Sequence, residues 1–227
     1  MERLHSEERV QGIGLLILDL DGTLADTIES IREAVNLSLR KFALPERSYE
    51  EVRAAIGNGA RMLMRRSVAS DRILSEEEHE EIYQCYHHLY GETYSHCDTC
   101  YDGIVEALSA LKERGYTLAV LSNKQDVYVK ALVEQLLPAG TVKIAMGQTE
   151  RPKKPDPTVP LEMAAALGFS AEETAFVGDS EVDIQTALRA GMMPVGCAWG
   201  YRDAHVLKQE GAAVVLDTPA ELADLFC

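Results

Sequence analysis

The 227-residue sequence has few aromatic side chains, no long apolar run and far fewer basic than acidic residues. Aromatic residues make up 6% of the chain, and 22 Lys and Arg stand against 37 Asp and Glu, which gives a formal net charge of −15. Because nucleic acids and anionic membrane surfaces attract cationic proteins, this balance argues against both as partners. No apolar segment approaches the roughly 20 residues that a transmembrane helix needs. The first ten residues are mostly polar, which argues against a signal peptide.

The sequence also lacks a cysteine pattern typical of a disulfide framework. Its five cysteines are Cys85, Cys97, Cys100, Cys197 and Cys227. An odd number at irregular spacing predicts reduced thiols in a cytoplasmic protein. Cys97 and Cys100 form a C-x-x-C beside His96, but a zinc site would need a second ligand pair at matching spacing. We therefore interpret them as free thiols.

The order of the strand and helix patterns predicts an α/β fold. A short apolar run over 13–19 is followed by helical patterns alone, whereas strands and helices alternate from about residue 104 onward. Such alternation is typical of a doubly wound (Rossmann-like) parallel sheet. We predict an α/β core of residues 1–25 and 96–227, with a small α-helical domain of residues 26–95 inserted after the first strand.

Two carboxylates stand at the end of the first apolar run. Asp19 and Asp21 directly follow this buried-strand pattern, and Gly22 comes next. In open α/β sheets, ligands bind at the carboxyl ends of the strands. Two acids at the end of a core strand do not stabilise it, so we interpret Asp19 and Asp21 as candidate catalytic residues.

Polar residues also follow other predicted strands. They are Ser122-Asn123-Lys124, Arg151-Pro152-Lys153-Lys154-Pro155-Asp156-Pro157 and Gly178-Asp179-Ser180-Glu181-Val182-Asp183. The carboxyl ends of parallel strands share one edge, so we expect these side chains to converge. Carboxylate oxygens of Asp19 and Asp179, with water and a backbone carbonyl, suit octahedral Mg²⁺. Such a cation would reduce the repulsion between an acidic protein and a phosphate.

This set of residues can carry out phosphoryl transfer. A carboxylate held against a phosphoryl group can attack it and form an aspartyl-phosphate, the role we predict for Asp19. Asp21 can protonate the leaving oxygen and later take a proton from water. Ser122 and the backbone amides after Asp21, that of Gly22 included, can bind phosphoryl oxygens, and Lys154 can neutralise developing charge.

The motifs resemble those of a known superfamily. Four segments are similar, in order, to the four motifs of the haloacid dehalogenase phosphohydrolases: Asp19-Leu20-Asp21-Gly22-Thr23, Ser122-Asn123-Lys124, Lys154-Pro155-Asp156-Pro157 and Gly178-Asp179-Ser180-Glu181-Val182-Asp183. The helical insert resembles the small cap of the phosphoglycolate phosphatase-like branch, as does Ala198-Trp199-Gly200-Tyr201. The resemblance covers nearly all of the chain beyond residue 12.

The resemblance implies a role for each matching residue. Asp19 would be the nucleophile and a Mg²⁺ ligand, Asp21 the general acid/base with its carbonyl as a further ligand, and Asp179 a ligand. Ser122 and Lys154 would bind the phosphoryl group, with Lys153 as a competitor for the lysine role, and we add Asn123 as a substrate-binding candidate. Asp183 would orient a metal-bound water or Lys154.

In the helical insert, the candidate substrate-binding residues are Gly57, Asn58 and Arg61. Two glycines flanking Asn58 permit a tight loop whose amides can meet a ligand. Arg61 can bind a carboxylate through two parallel hydrogen bonds. The alternatives are a simple inter-helix turn and a surface arginine.

These observations predict Mg²⁺-dependent hydrolysis of a small phosphorylated metabolite, with 2-phosphoglycolate as the best guess. The alternatives within the superfamily are a phosphosugar mutase and a phosphatase for sugar phosphates, nucleotides or pyrophosphate. A phosphorylatable signalling receiver fits less well, because receivers carry the reactive Asp on a later strand and lack an inserted cap. We leave open whether the protein is a monomer or a homodimer.

Overall fold

The computed structural model describes residues 10–68, 73–94 and 98–227. The chain divides into two units, one of the residues up to Ala25 together with Cys100–Cys227, the other of Asp26–Thr99. A short two-stranded sheet, β2 (Ala25–Asp26) with β3 (Thr99–Cys100), stands where the chain passes from one unit to the other. That the second unit acts as a cap stays a prediction.

The larger unit is built on a parallel sheet of six strands. They are β1 (Leu15–Leu18), β4 (Thr117–Gln125), β5 (Ile144–Gln148), β6 (Thr174–Gly178), β7 (Met193–Cys197) and β8 (Val214–Leu216), in the spatial order β5-β4-β1-β6-β7-β8. Leu18 pairs with Val120 on one side and with Val177 on the other. The strand order therefore reverses at β1, which is where open α/β sheets bind ligands.

Ten helices complete the described part of the chain. Those of the second unit are α1 (Ile28–Lys41), α2 (Tyr49–Ala55), α3 (Ala60–Ser67) and α4 (Glu76–Thr93). Those of the larger unit, on both sides of the sheet, are α5 (Ile104–Glu113), α6 (Asp126–Leu136), α7 (Thr158–Leu167), α8 (Glu181–Ala190), α9 (Ala204–Gln209) and α10 (Pro219–Leu225). The predicted α/β fold with a doubly wound parallel sheet is confirmed.

The apolar run of β1 forms the centre of the core. All four of its side chains are fully buried, and Phe176 of the neighbouring β6 is buried with them. Burial of one such side chain contributes about 1.5–3 kcal/mol. This burial stabilises β1 in the sheet although polar residues follow the strand directly.

The second unit is a helical assembly with well-defined helix starts. Ser48 and Ser75 cap α2 and α4, and each side chain accepts from the amide three residues on. Glu51 and Glu78 return the bond to the cap amides, so that otherwise unpaired groups are satisfied at both starts. Along α1, Ile31, Val35 and Leu39 form the buried stripe that faces the other helices.

The strand that contains Ser122 is longer than predicted. The prediction ends the second core strand at Leu121, because polar residues follow, whereas β4 continues through Gln125. A register shift between Leu121 and Gln125 lets the strand resume its pairing with β5 at Gln148. Ser122, Asn123 and Lys124 therefore lie on a strand that carries a local irregularity.

None of the helices within the described ranges combines the length and the apolar character needed to cross a membrane. Cys85, Cys100, Cys197 and Cys227 are free thiols. Cys97 and His96 of the C-x-x-C segment lie outside the described residues.

Candidate active site

Three carboxylates converge at the carboxyl edge of the sheet. Asp19 directly follows β1, Asp179 directly follows β6, and Asp183 lies in the first turn of α8. Each offers an oxygen within 4.8 Å of the others, and their exposed fractions are 8%, 1% and 1%. The expected convergence of these acids is thus observed.

Lys154 is the cation that lies among these acids. Its Nζ donates to Asp183 Oδ1 at 2.7 Å and forms an ion pair with Asp19 Oδ1 at 2.8 Å. Asn123 holds the backbone of this lysine, since its Nδ2 donates to the Lys154 carbonyl at 3.0 Å and its Oδ1 accepts from the Lys154 amide at 2.9 Å. Of the two candidate lysines, Lys154 is buried beside the acids and Lys153 is exposed.

The acids perturb one another. Burial raises the pKa of Asp19 to about 7 against the opposing charge of Lys154, and the charge of Asp183 adds to the rise. Burial and the neighbouring charges of Asp183 and Asp19 likewise raise the pKa of Asp179 well above its usual range. For Lys154, burial opposes ionisation, but Asp183 and Asp19 outweigh it and raise the pKa. Without a further cation, the full negative charge of the cluster is therefore unfavourable.

The donor set fits a divalent cation. Asp183 makes more hydrogen bonds than the other two acids, because its Oδ1 accepts from Lys154 and its Oδ2 accepts from both the amide and the hydroxyl of Ser180. Asp19 and Asp179 remain, and carboxylate oxygens are the ligands that hard cations such as Mg²⁺ prefer. The acidic cluster can hold such an ion, with Asp183 left to orient Lys154.

Asp21 forms an ion pair with a lysine that the sequence motifs leave without a role. Lys124 Nζ donates to Asp21 Oδ1 at 2.6 Å, and the two side chains are 7% and 13% exposed. Lys124 belongs to the same polar run as Ser122 at the end of β4. Its place in this run is the sequence signal that could have identified the lysine.

Ser122 and Gly22 complete the arrangement. Ser122 is buried and accepts from the Lys124 amide at 3.2 Å, which leaves the hydroxyl hydrogen available for a ligand. The amide of Gly22, predicted to bind phosphoryl oxygens, donates instead to the Ala25 carbonyl at 2.9 Å. Because Gly22 has no side chain, the Asp179 carboxylate can lie next to it; a Cβ on Gly22 would lie 2.4 Å from Asp179 Oδ2.

Comparison with known proteins identifies the family of this chain. Residues 16–197 match the model of the haloacid dehalogenase-like hydrolases. The chain belongs to the haloacid dehalogenase-like hydrolases. Phosphoglycolate phosphatase 1 of Pseudomonas aeruginosa is 32% identical over 92% of this chain and 78% of its own length. The phosphoglycolate phosphatase of Haemophilus influenzae is 30% identical over 93% of this chain and 97% of its own length.

Solved structures agree with this family assignment. The crystal structure of a predicted phosphoglycolate phosphatase from Haemophilus somnus superposes with a TM-score of 0.87 at 29% identity, covering 96% of this chain and 99% of that chain. The expected haloacid dehalogenase-like hydrolase of the phosphatase class is confirmed. The roles of individual residues in this hydrolase stay predictions.

The helical unit of this haloacid dehalogenase-like hydrolase contains the other substrate-binding candidates. Gly57 and Gly59 have φ of 123° and 81°, so the loop around the half-buried Asn58 uses backbone conformations that favour glycine. Arg61 forms a bidentate ion pair with Glu80, and its guanidinium lies 4.0 Å from the centre of the Tyr83 ring. The guanidinium is thus engaged within its own unit.

Asn123, a predicted substrate-binding residue, holds the backbone of Lys154 in the structure. Both polar atoms of its side chain pair with the backbone of Lys154. An amide side chain can satisfy a backbone amide and carbonyl together, so this residue fixes where the lysine leaves the loop. The signal that could have indicated this is the combination of a polar β4 end with a proline-flanked lysine in the next loop.

Proposed function

We propose that this chain is a Mg²⁺-dependent phosphomonoester hydrolase that acts on a small phosphorylated metabolite through a covalent intermediate on Asp19. The observation that carries the proposal is the buried cluster of Asp19, Asp179 and Asp183 around Lys154. Uncompensated buried carboxylates cost several kcal/mol each, so a cluster of this kind indicates chemistry rather than stability.

Asp19 and Asp179, with the carbonyl of Asp21, are the proposed ligands of the ion. When bound, Mg²⁺ would neutralise the negative charge that a phosphoryl group brings to these acids. The raised pKa values of Asp19 and Asp179 support a cation at this place, because a positive charge there favours the ionised carboxylates.

Asp19 attacks the phosphorus atom in the first step. A bond forms between the carboxylate oxygen and phosphorus, the ester P–O bond breaks, and its electron pair leaves with the alcohol oxygen. Asp21 donates the proton that this oxygen needs. The Ser122 hydroxyl and the Lys154 ammonium bind phosphoryl oxygens, and Asp183 keeps Lys154 in place.

Asp21 reverses its role in the second step. A water molecule attacks the phosphorus of the aspartyl-phosphate and transfers a proton to Asp21, and inorganic phosphate leaves with Asp19 restored. Lys124 contacts Asp21 at 2.6 Å and holds the carboxylate in one orientation at the edge of the site. In both steps Asp21 is the residue that gives or takes the proton, whereas the phosphoryl group passes from the ester to Asp19 and then to water.

Phosphoglycolate is the proposed substrate, since the matched curated relatives are named phosphoglycolate phosphatases over most of this chain's length. The helical unit is the proposed cap, which excludes water from the nucleophile. A substrate carboxylate is a suitable partner for Arg61. To bind it, the arginine must exchange its ion pair with Glu80.

A phosphate-release assay over a panel of small phosphoesters tests the proposal. The panel contains 2-phosphoglycolate, hexose phosphates, nucleoside monophosphates and pyrophosphate, each with Mg²⁺ and with EDTA. We expect release only with Mg²⁺ and the highest kcat/KM for 2-phosphoglycolate. A higher kcat/KM for another ester would overturn the substrate, and isomerised sugar phosphate without free phosphate would overturn hydrolysis itself.

A further inference from the structure

The segment after β7 is packed directly against the acid cluster. We name Trp199–Tyr201 the buttress segment; it follows β7 by one residue and belongs to the same unit as the cluster. None of its residues enters the chemistry proposed above. Gly200 and Tyr201 nevertheless lie against one side chain, that of the proposed metal ligand Asp179.

Both carboxylate oxygens of Asp179 are held by this arrangement. The Tyr201 amide donates to Oδ2 at 2.7 Å, and the Thr23 hydroxyl donates to Oδ1 at 3.0 Å. Trp199 Nε1 donates to the Thr23 carbonyl at 3.0 Å, so the buttress segment also holds the residue that makes the second bond. Each carboxylate oxygen retains a lone pair for a metal ion.

Gly200 makes this close approach possible. A Cβ on Gly200 would lie 2.2 Å from the Gly22 carbonyl oxygen and 2.4 Å from Asp179 Cβ. The φ of Gly200 is outside the left-handed region, so alanine can adopt this backbone conformation. Steric contact with the backbone and with the base of the Asp179 side chain is therefore the reason for glycine here.

The next residue ties the segment to the helix that carries Asp183. Arg202 Nε donates to Glu181 Oε2 at 2.9 Å, and the two side chains are 15% and 30% exposed. Glu181 is the first residue of α8. The buttress segment is thereby fixed to the loop after β1 and to the start of α8.

We propose that the buttress segment is a positioning element that fixes the carboxylate of Asp179 for the metal ion, and so sets the affinity for Mg²⁺. The inference rests on the proposed function, because it takes Asp179 as a ligand. Hydrogen-bond partners of metal ligands orient them, and their loss typically weakens metal binding by about 10–100-fold. Displacement of Asp179 by a methyl group on Gly200 acts in the same direction.

The test measures Mg²⁺ binding to the full chain without substrate, by isothermal titration calorimetry. We expect Gly200→Ala to raise the Kd for Mg²⁺ by about 10–100-fold, and Trp199→Phe, which keeps an aromatic ring but loses the donor, to raise it by about tenfold. Asp179→Asn serves as the reference for loss of a ligand. The Trp199 variant keeps the test decisive if Gly200→Ala does not fold.

Gly14→Ala is the matched control for a general loss of stability. Gly14 lies before β1, at the opposite edge of the sheet, and a Cβ on it would lie 2.5 Å from the Phe169 ring. Its φ is also outside the left-handed region. We expect a lower Tm but a Kd for Mg²⁺ within about twofold of the wild type, because distant sites act independently.

The outcomes separate the two proposals. If the wild type binds Mg²⁺ and Asp179→Asn does not, while Gly200→Ala and Trp199→Phe bind like the wild type, the buttress role is overturned and the proposed function stands. If Gly14→Ala weakens binding as much as Gly200→Ala, the effect is one of stability and the role is likewise overturned. If the wild type does not bind Mg²⁺, both proposals fail together.

Discussion

The ion pair at the carboxyl edge of the sheet is buried, whereas the ion pairs on the surface of the helical unit are exposed to water. At the sheet edge, Lys154 and Asp183 are 2% and 1% exposed and lie 2.7 Å apart. In the helical unit, Arg61 and Glu80 form a bidentate ion pair whose side chains are 55% and 45% exposed. The two ion pairs therefore differ strongly in their access to water.

The difference shows which region has a functional reason for its charges. Buried charges lose their hydration, and their mutual attraction often fails to offset that loss. Exposed pairs keep most of their hydration and contribute little in either direction. The buried acids and lysine therefore indicate the site of chemistry, whereas the exposed pairs are compatible with an ordinary surface.

The largest expected effect comes from removing the buried lysine. Lys154→Met leaves Asp19 and Asp183 without their ammonium partner, so we expect the free energy of unfolding to fall by about 3–5 kcal/mol in Mg²⁺-free buffer. Urea denaturation measures it. Arg65→Met, which breaks the exposed pair with Glu76, is the matched control and should leave the midpoint nearly unchanged. Equal losses in the two variants would remove the distinction between the regions.

A second prediction concerns the lysine on Asp21. Lys124→Met keeps the length of the side chain but removes the ammonium that contacts the Asp21 carboxylate, and we expect kcat to fall by about 10–100-fold because a misplaced proton donor is inefficient. Steady-state kinetics with 2-phosphoglycolate measures kcat and KM separately. A raised KM with unchanged kcat would show that Lys124 binds substrate and does not position Asp21.

The third prediction follows from the pKa of Asp19, which burial raises to about 7 in the metal-free protein. Below this pH the carboxyl is protonated and must lose its proton to bind Mg²⁺, so the affinity falls as the pH is lowered. Calorimetric titrations should show about tenfold weaker binding at about pH 6 than at about pH 8. An affinity that is constant over this range would contradict the assignment of Asp19 as a ligand.

The smallest effect is expected in the helical unit. If Arg61 binds the substrate carboxylate, Arg61→Lys should raise KM for 2-phosphoglycolate several-fold, at roughly 1 kcal/mol, with kcat little changed. Kinetics with p-nitrophenyl phosphate, which has no carboxylate, provides the control and should not change. Equal effects on both esters would indicate that Arg61 does not bind the substrate carboxylate and only forms its ion pair with Glu80.

Local patterns predict the sheet and the main acids because those features depend on neighbouring residues. The apolar run before Asp19 indicates a buried strand, and the acid that follows marks its polar end. The Gly-Asp pair at 178–179 marks the end of another strand in the same way. The capping box at the start of α2 is local in the same sense, since Ser48 and Glu51 are three positions apart.

The remaining contacts could not be predicted from such patterns, because they join distant parts of the chain. Lys124 and Asp21 are 103 positions apart, and Trp199 and Thr23 are 176 apart. The steric need for Gly200 depends on Gly22 and Asp179, which come from two other strand ends. Only the completed fold determines which polar atoms are already paired, as for the Gly22 amide and the Asn123 side chain.

Trapping of a phosphoenzyme tests the central claim, that Asp19 carries the phosphoryl group and Asp21 moves protons. Radiolabelled p-nitrophenyl phosphate is suitable, because its leaving group needs little protonation and the first step can proceed without Asp21. After acid quenching, we expect labelled protein from Asp21→Asn, with the label on Asp19, and none from Asp19→Asn. Label on Asp19→Asn at the level of Asp21→Asn would contradict the account.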